Sequence, residues 1–173
     1  MAVTIRPMIQ REFEQFYDWS VEHQAQELMT QLHISKEDAV MNAIAEITQM
    51  LTHGLHTKHH YLMTILEDGG EETAGFIWTL HEEFEGKQQS FLCDFAIWES
   101  YRRKGYATAA LHLAERHAAE AGCCESVLFV SDDNKAARSL YQKNGYQILR
   151  QKDYGKFMIK QLSCTHPESH KGE

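Results

Sequence analysis

The sequence predicts an α/β (α+β) domain built on a mixed, mostly antiparallel sheet of about six to seven strands flanked by about four helices. Two observations carry this. Apolar residues recur at helical steps through residues 13–51, give way to β-rich runs over 60–98, and return to the helical period from 106. Beyond that point strand-like and helical stretches alternate until two closing strand-like runs. The length of 173 residues, with no repeat or low-complexity linker, fits one domain over residues 1–162 followed by a disordered polar tail over 163–173.

Each element has a local cause. Val3 and Ile5 open a short strand. Phe13, Phe16, Tyr17, Val21, Ala25, Leu28 and Met29 mark the apolar stripe of the first helix. "SKED" sets Ser35 as the cap of a second helix, with a buried stripe of Val40, Ala43, Ile44, Ile47 and Leu51 and a stop at Gly54. "HYLMTIL", "TAGFIWTLH" and "QSFLCDFAIW", parted by the turn-like "EDGGEE" and "EFEGKQ", read as three strands in antiparallel hairpins. From Tyr106 a helix buries Ala107, Ala110, Leu111, Ala114 and Ala118, ending at Gly122. The strand "SVLFV", a helix from Asn134 to Asn144 closed by Gly145, and the strands "YQILRQ" and "KFMIKQL" complete the order.

Composition narrows the class. No apolar stretch approaches the roughly 20 residues of a membrane span, and the N-terminus turns charged before a signal peptide could form, so a cytoplasmic protein with no membrane partner is expected. The net charge of −8 argues against nucleic acid. It is unevenly spread: −4 over residues 1–60, −8 over 61–100 and +4 over 101–173. The second half is thus suited to an anion, and the acidic stretch to a cation. Cys93, Cys123, Cys124 and Cys164 have neither metal-ligand spacing nor an evident pairing, and reduced thiols are expected. His53, His56, His59 and His60 cluster, but Gly54 and the strand that starts at about Tyr61 leave no continuous helix for zinc binding through His56 and His60, and no cysteine or carboxylate lies nearby to complete a site, so no metal is expected.

The chemistry concentrates in two motifs. "YRRKGYATAAL" (101–111) puts Arg102, Arg103, Lys104 and Gly105 before a helix whose first turn is kept thin by Ala107. A helix N-terminus exposes unpaired N–H groups, and glycine lets the backbone approach an anion, so the stretch reads as a pyrophosphate site. "NKAARSLYQKNGY" (134–146) then follows a strand. Together, R-x-x-G-x-A and N-x-x-A-x-x-L-Y-x-x-x-G-Y resemble the GNAT family of N-acetyltransferases, over roughly residues 61–161 and in the order of the N-terminal elements.

The resemblance implies acetyl-CoA as cosubstrate. It implies that Phe95, Ala96 and Ile97 offer their backbone to the pantetheine arm and the acetyl carbonyl. Arg102, Arg103, Lys104, Gly105, Tyr106, Ala107 and Thr108 would hold the pyrophosphate, Asn134 would meet the pantetheine from the next helix, and Tyr141 would protonate the departing thiolate. The chain departs from the family's pattern where Arg103 and Ala107 stand in place of frequent glycines, and where Glu99 replaces a frequent proline. For a general base the candidates are Asp94, His81, Glu82 and Glu83. The expected activity is acetyl transfer to a primary amine, small and cationic or on a peptide, by direct attack in a ternary complex. The alternative is an acetyl-CoA sensor without turnover. The resemblance leaves monomer or homodimer open.

Overall fold

The computed structural model describes residues 3–67 and 69–164. Its elements are β1 (Val3–Pro7), α1 (Gln10–Leu32), α2 (Lys36–Met50), β2 (His60–Glu67), β3 (Thr73–Phe84), β4 (Lys87–Ile97), α3 (Tyr106–Glu120), β5 (Glu125–Ser131), α4 (Lys135–Lys143), β6 (Gln147–Lys152) and β7 (Gly155–Gln161). The strands make one sheet in the order β1-β2-β3-β4-β5-β7-β6. All neighbours are antiparallel except β4 and β5, whose parallel pairing is made possible by the α3 crossover. The predicted order of helices and strands is the observed one. Of the tail expected to be disordered, residues 165–173 lie outside the described residues.

Helices cover both faces of the sheet. On one, Tyr106, Ala110, Leu111 and Ala114 of α3 and Tyr141 of α4 pack with Ile65, Ile77, Leu92, Leu128 and Met158. On the other, Phe16 of α1 and Ile47 of α2 pack with Leu62, Phe76 and Trp78. Ser35 caps α2 by accepting the Asp38 N–H at 3.1 Å. The stripe predicted for α2 needs one correction: Ile44 is 42% exposed and Ala39 takes a place in the contact with α1. The buried residues of the helix, Ala39, Ala43 and Ile47, lie on one narrow face packed on α1 and the sheet. Gly54 begins a short 3-10 turn, the helix having ended at Met50.

The expectation of reduced thiols is corrected for two of the four cysteines, since Cys124 and Cys164 form a disulfide. The Leu162 N–H bonds the Cys124 carbonyl at 2.8 Å, which carries the chain beyond β7 back alongside the start of β5. Residues 40 apart in sequence are thereby brought to a Cα separation of 4.9 Å, within disulfide reach. Cys93 and Cys123 are free thiols. Among the described residues, no helix is long and apolar enough to cross a membrane.

A buried carboxylate fixes α1 on the sheet. Glu12 accepts two hydrogen bonds from Arg6 of β1 (2.8 and 2.9 Å), one from Thr64 of β2 (2.7 Å) and one from the Ile9 N–H at the helix start (3.0 Å). The Arg6 hydrogen bonds, helped by those of Ile9 and Thr64, outweigh burial and hold the carboxyl down at about 2. A folded-state pKa below the unfolded one gives stability that is complete above about pH 4.5 and is lost as pH falls toward 2. Glu12→Gln should therefore cost on the order of 2–3 kcal/mol at pH 7. Urea unfolding at pH 7, 4 and 2 checks this, with the gap from wild type shrinking at each step down.

Candidate active site

The site begins with an irregularity in β4. Trp78 stands opposite Asp94 and Thr79 opposite Leu92, so Cys93 is an extra residue in the ladder, a β-bulge. Pairing of β4 with β5 stops at Leu92↔Leu128, although both strands continue. From the bulge onward the two strands part. The Trp98 N–H bonds the Ala74 carbonyl at 2.8 Å, and antiparallel alternation then aims the main-chain groups of Ala96 and Asp94 at β3 and those of Phe95 and Ile97 into the gap. The expectation that Phe95, Ala96 and Ile97 all offer their backbone is thus corrected at Ala96. A side chain on Gly75 would collide with the Ala96 carbonyl, which places that carbonyl firmly on the β3 side.

The gap opens into a cavity of about 310 Å³. Its walls include Ser20, His23, Gln24 and Glu27 of α1, Cys93, Asp94 and Phe95 of β4, Val130 and Ser131 of β5, and Asn134, Ala137 and Tyr141 at α4. Asp94 and Tyr141, 47 positions apart in sequence, therefore share one cavity. A second hollow of about 330 Å³ shares the His23, Glu27, Ser131 and Asn134 walls and adds Asp133.

Burial sets the protonation states. It pushes the Asp94 carboxyl up to about 6, while the charge of His23 and the hydrogen bonds from Ser20 and Phe95 pull the other way and Glu27 adds to the rise. The Ser20 hydroxyl donates to Asp94 Oδ2 at 3.1 Å and the Phe95 N–H to Oδ1 at 2.9 Å. Burial, reinforced by the negative Asp94, also raises the Tyr141 phenol, whose hydroxyl has no hydrogen-bond partner among the described residues. The Cys93 thiol is pushed up by burial and then by Asp94 and Glu82.

Beside the gap lies the loop into α3. Gly105, at φ 87°, is the residue before the helix, and the space where a side chain would stand is open for at least 4 Å. The Ala109 N–H makes the first bond of the helix, to the Gly105 carbonyl at 3.1 Å, which leaves the N–H groups of Tyr106, Ala107 and Thr108 without helical partners. These residues fit a pyrophosphate. Arg103 also adopts a left-handed conformation, at φ 57°, where the family often has glycine. The loop is pinned by Tyr106 to Glu67 (2.6 Å), Tyr101 to Glu72 (3.1 Å), Arg102 Nε to the Ile97 carbonyl (2.8 Å) and Lys104 to the Ser100 carbonyl (2.8 Å). Arg102 and Lys104 thus spend donors on the loop itself.

Asn134 caps α4 by accepting the Ala137 N–H at 3.1 Å, and lines the cavity. The other base candidates lie elsewhere. His81 is buried against Tyr61 and His117, with its pKa lowered to about 4 by burial, and Glu82 accepts from Gln89. Neither they nor Glu83 line the cavity. His60 accepts the Trp78 indole N–H at 3.0 Å, and no metal-holding group occurs among the described residues. Ser20, His23, Gln24 and Glu27 line the cavity but lie outside both sequence motifs. Their signal is a polar stripe at helical spacing beside the apolar one. Of the acids between 61 and 100, Asp94 alone among the described residues lines the cavity, so the negative charge there owes more to α1 than the segment totals suggest.

This arrangement has counterparts among known proteins. The profile of the "Acetyltransferase (GNAT) family" matches residues 13–146. The chain is 32% identical to the uncharacterized N-acetyltransferase YycN of Bacillus subtilis (strain 168) over 147 residues, 85% of this chain and 94% of that protein. The YycN crystal structure superposes with a TM-score of 0.78 at 30% identity, covering 88% of this chain and 98% of that one. YdgE of the same organism, also an uncharacterized N-acetyltransferase, is 31% identical over 86% of this chain and 94% of its own length. At 17% identity, the PaiA N-acetyltransferase of Thermoplasma acidophilum, solved with coenzyme A, shares the fold at a TM-score of 0.68, covering 94% of this chain and all of that one. A divided sheet, an open helix N-terminus beside the division and the match over residues 13–146 lead to one conclusion: the chain belongs to the GNAT family and is an acetyl-CoA-dependent N-acetyltransferase.

Proposed function

We propose that the protein transfers the acetyl group of acetyl-CoA directly to the amino group of a small cationic amine or a peptide, within a ternary complex and in the cytoplasm, whether as monomer or homodimer. One observation carries this reading: Asp94, Phe95 and Tyr141 line one cavity, Asp94 holds the Phe95 N–H, and the loop that leads to the open N-terminus of α3 is tied to the same strand end by Arg102 at the Ile97 carbonyl. The first turn of α3, Gly105 to Thr108, takes the pyrophosphate, and Ile97 and Asn134 take the pantetheine. A cationic acceptor is favoured because Asp94 and Glu27 oppose only His23 among the charged walls of the cavity.

The roles follow from the chemistry. Asp94, titrating near neutrality, takes a proton from the acceptor nitrogen as that nitrogen attacks the thioester carbon. The Phe95 N–H donates to the oxygen on which charge develops. As the C–N bond forms and the C–S bond breaks, Tyr141 gives its proton to the leaving sulfur, and Asp94 returns a proton to the phenolate through water. A phenol is a weaker acid than a thiol in water, by about 1.5 pKa units. The transfer is completed because the Asp94 carboxyl, titrating at about 6, reprotonates the phenolate, so the net proton movement runs from a stronger acid to the thiolate. Cys93 does not compete as a nucleophile, since its raised pKa keeps it a thiol. Direct transfer is thereby favoured over an acetyl-cysteine route, and a proton donor and a base in one cavity favour turnover over sensing.

Three outcomes test the reading. Tyr141→Phe, which keeps the packed ring, should leave coenzyme A binding within about twofold and lower kcat about 10²-fold in a thiol-release assay over a panel of amines. Undiminished turnover would remove Tyr141 from the chemistry.

For the base, log kcat/KM for the amine should rise with a slope of two below about pH 6, one proton lost from the acceptor and one from Asp94. Asp94→Asn should lower the rate and reduce that slope to one. A slope of two retained in the variant would assign the second proton elsewhere.

For the loop, Gly105→Val forces a β-branched residue to φ 87° and should weaken coenzyme A binding by more than tenfold in calorimetry. Arg103→Gly should instead raise thermal stability, by relieving about 1 kcal/mol of left-handed strain.

A further inference from the structure

We propose that Asp94 gates the acetyl site: in the free protein its carboxylate holds the Phe95 N–H that the thioester carbonyl requires, and seating the acetyl group displaces it, so cosubstrate binding releases the base. The proposal rests on the gap being the acetyl-CoA site. Phe95 and Ile97 are the residues of the strand end whose N–H groups face the gap, and the Phe95 N–H is bonded to Asp94 Oδ1 at 2.9 Å. The other carboxylate oxygen is held independently, by the Ser20 hydroxyl of α1 at 3.1 Å. Asp94 is therefore anchored from two sides, and only one anchor is a group that the reaction uses.

A single N–H serves one acceptor well. Coenzyme A lacks the carbonyl oxygen that competes for this donor, and acetyl-CoA has it. The two ligands share the pyrophosphate and pantetheine contacts, so their difference isolates the exchange at Phe95. Acetyl-CoA trades a charge-assisted hydrogen bond for a neutral one, which weakens its binding. Losing that donor also makes the carboxylate a stronger base, since hydrogen bonding to the charged form is what lowers a carboxyl pKa. Binding of acetyl-CoA must then draw in more protons near neutrality than binding of coenzyme A.

The neighbouring charges do not reproduce this difference. His23 and Glu27 face Asp94 from α1 with opposing effects. Glu82 acts on the adjacent Cys93 from β3, and both Cys93 and Tyr141 of α4 stay protonated because their pKa values are raised. None of these groups bonds the Phe95 N–H.

Titration calorimetry of the full chain with coenzyme A and with acetyl-CoA, in two buffers of different ionisation enthalpy at about pH 6.5, reads the coupling directly. The 3′-phosphate titrates here in both ligands alike, so the expected result is an uptake greater by about half a proton with acetyl-CoA than with coenzyme A. Asp94→Asn keeps an acceptor for Phe95 but a weaker, non-titrating one. It should bind acetyl-CoA about 3- to 10-fold tighter relative to coenzyme A, lose the difference in proton uptake, and turn over more slowly. Equal proton uptake for both ligands in the wild type, or an unchanged affinity ratio in the folded variant, overturns the gate. Failure of the wild type to bind either ligand overturns instead the acetyl-CoA site on which the gate depends.

Discussion

The parting of β4 from β5 is the constraint on which the rest of the molecule depends. Main-chain donors in a sheet are ordinarily consumed by the next strand. Here the bulge at Cys93 ends the parallel pairing after four residue pairs, and Phe95 and Ile97 are left facing a gap. Side chains fill part of the deficit, Asp94 at the Phe95 N–H and Arg102 at the Ile97 carbonyl. The same opening lets α1 on one face of the sheet and α4 on the other contribute to a single cavity. Without it Asp94 and Tyr141 would be packing residues on separate elements.

Burial around that cavity sorts its acids by type. Burial raises all three, but their starting points differ, so the outcomes differ. The Tyr141 phenol and Cys93 thiol move further from neutral pH and stay protonated, while the Asp94 carboxyl moves toward it. One environment thus yields a proton donor, an inert thiol and a poised base. Ser20 and His23 keep Asp94 from rising further, and both belong to α1. The placement of that helix depends in turn on Glu12, whose carboxylate joins β1, β2 and the helix start.

The loop into α3 shows the opposite economy, with backbone conformation maintained by side-chain ties. Arg103 and Gly105 both sit in the left-handed region. Tyr101 and Tyr106 reach back to Glu72 and Glu67 at the β2–β3 turn, so acids that look like spare surface charge in the sequence hold the anion-binding turn in place. The segment totals suggested a broad negative field, whereas the structure spends part of it on these ties.

The order of helices and strands, the cap at Ser35 and the open turn at Gly105 were legible in the sequence because each is set by neighbours a few residues away. Tyr141 and Asp94 were legible as candidates, Tyr141 through its motif and Asp94 as an acid in a strand. What stayed hidden was everything that depends on which elements face each other. The polar stripe of α1 became part of the site only when α1 lay over the gap. Ala96 was turned toward β3 by the parity of a ladder, which one bulge decides. Cys124 found Cys164 through the return of the chain after β7, and Ile44 was exposed because α2 buries only a narrow face. Local pattern determined the elements and the chemistry they carry, while the tertiary structure alone decided which of those groups meet, because contact between distant residues depends on strand register and helix placement that no short stretch encodes.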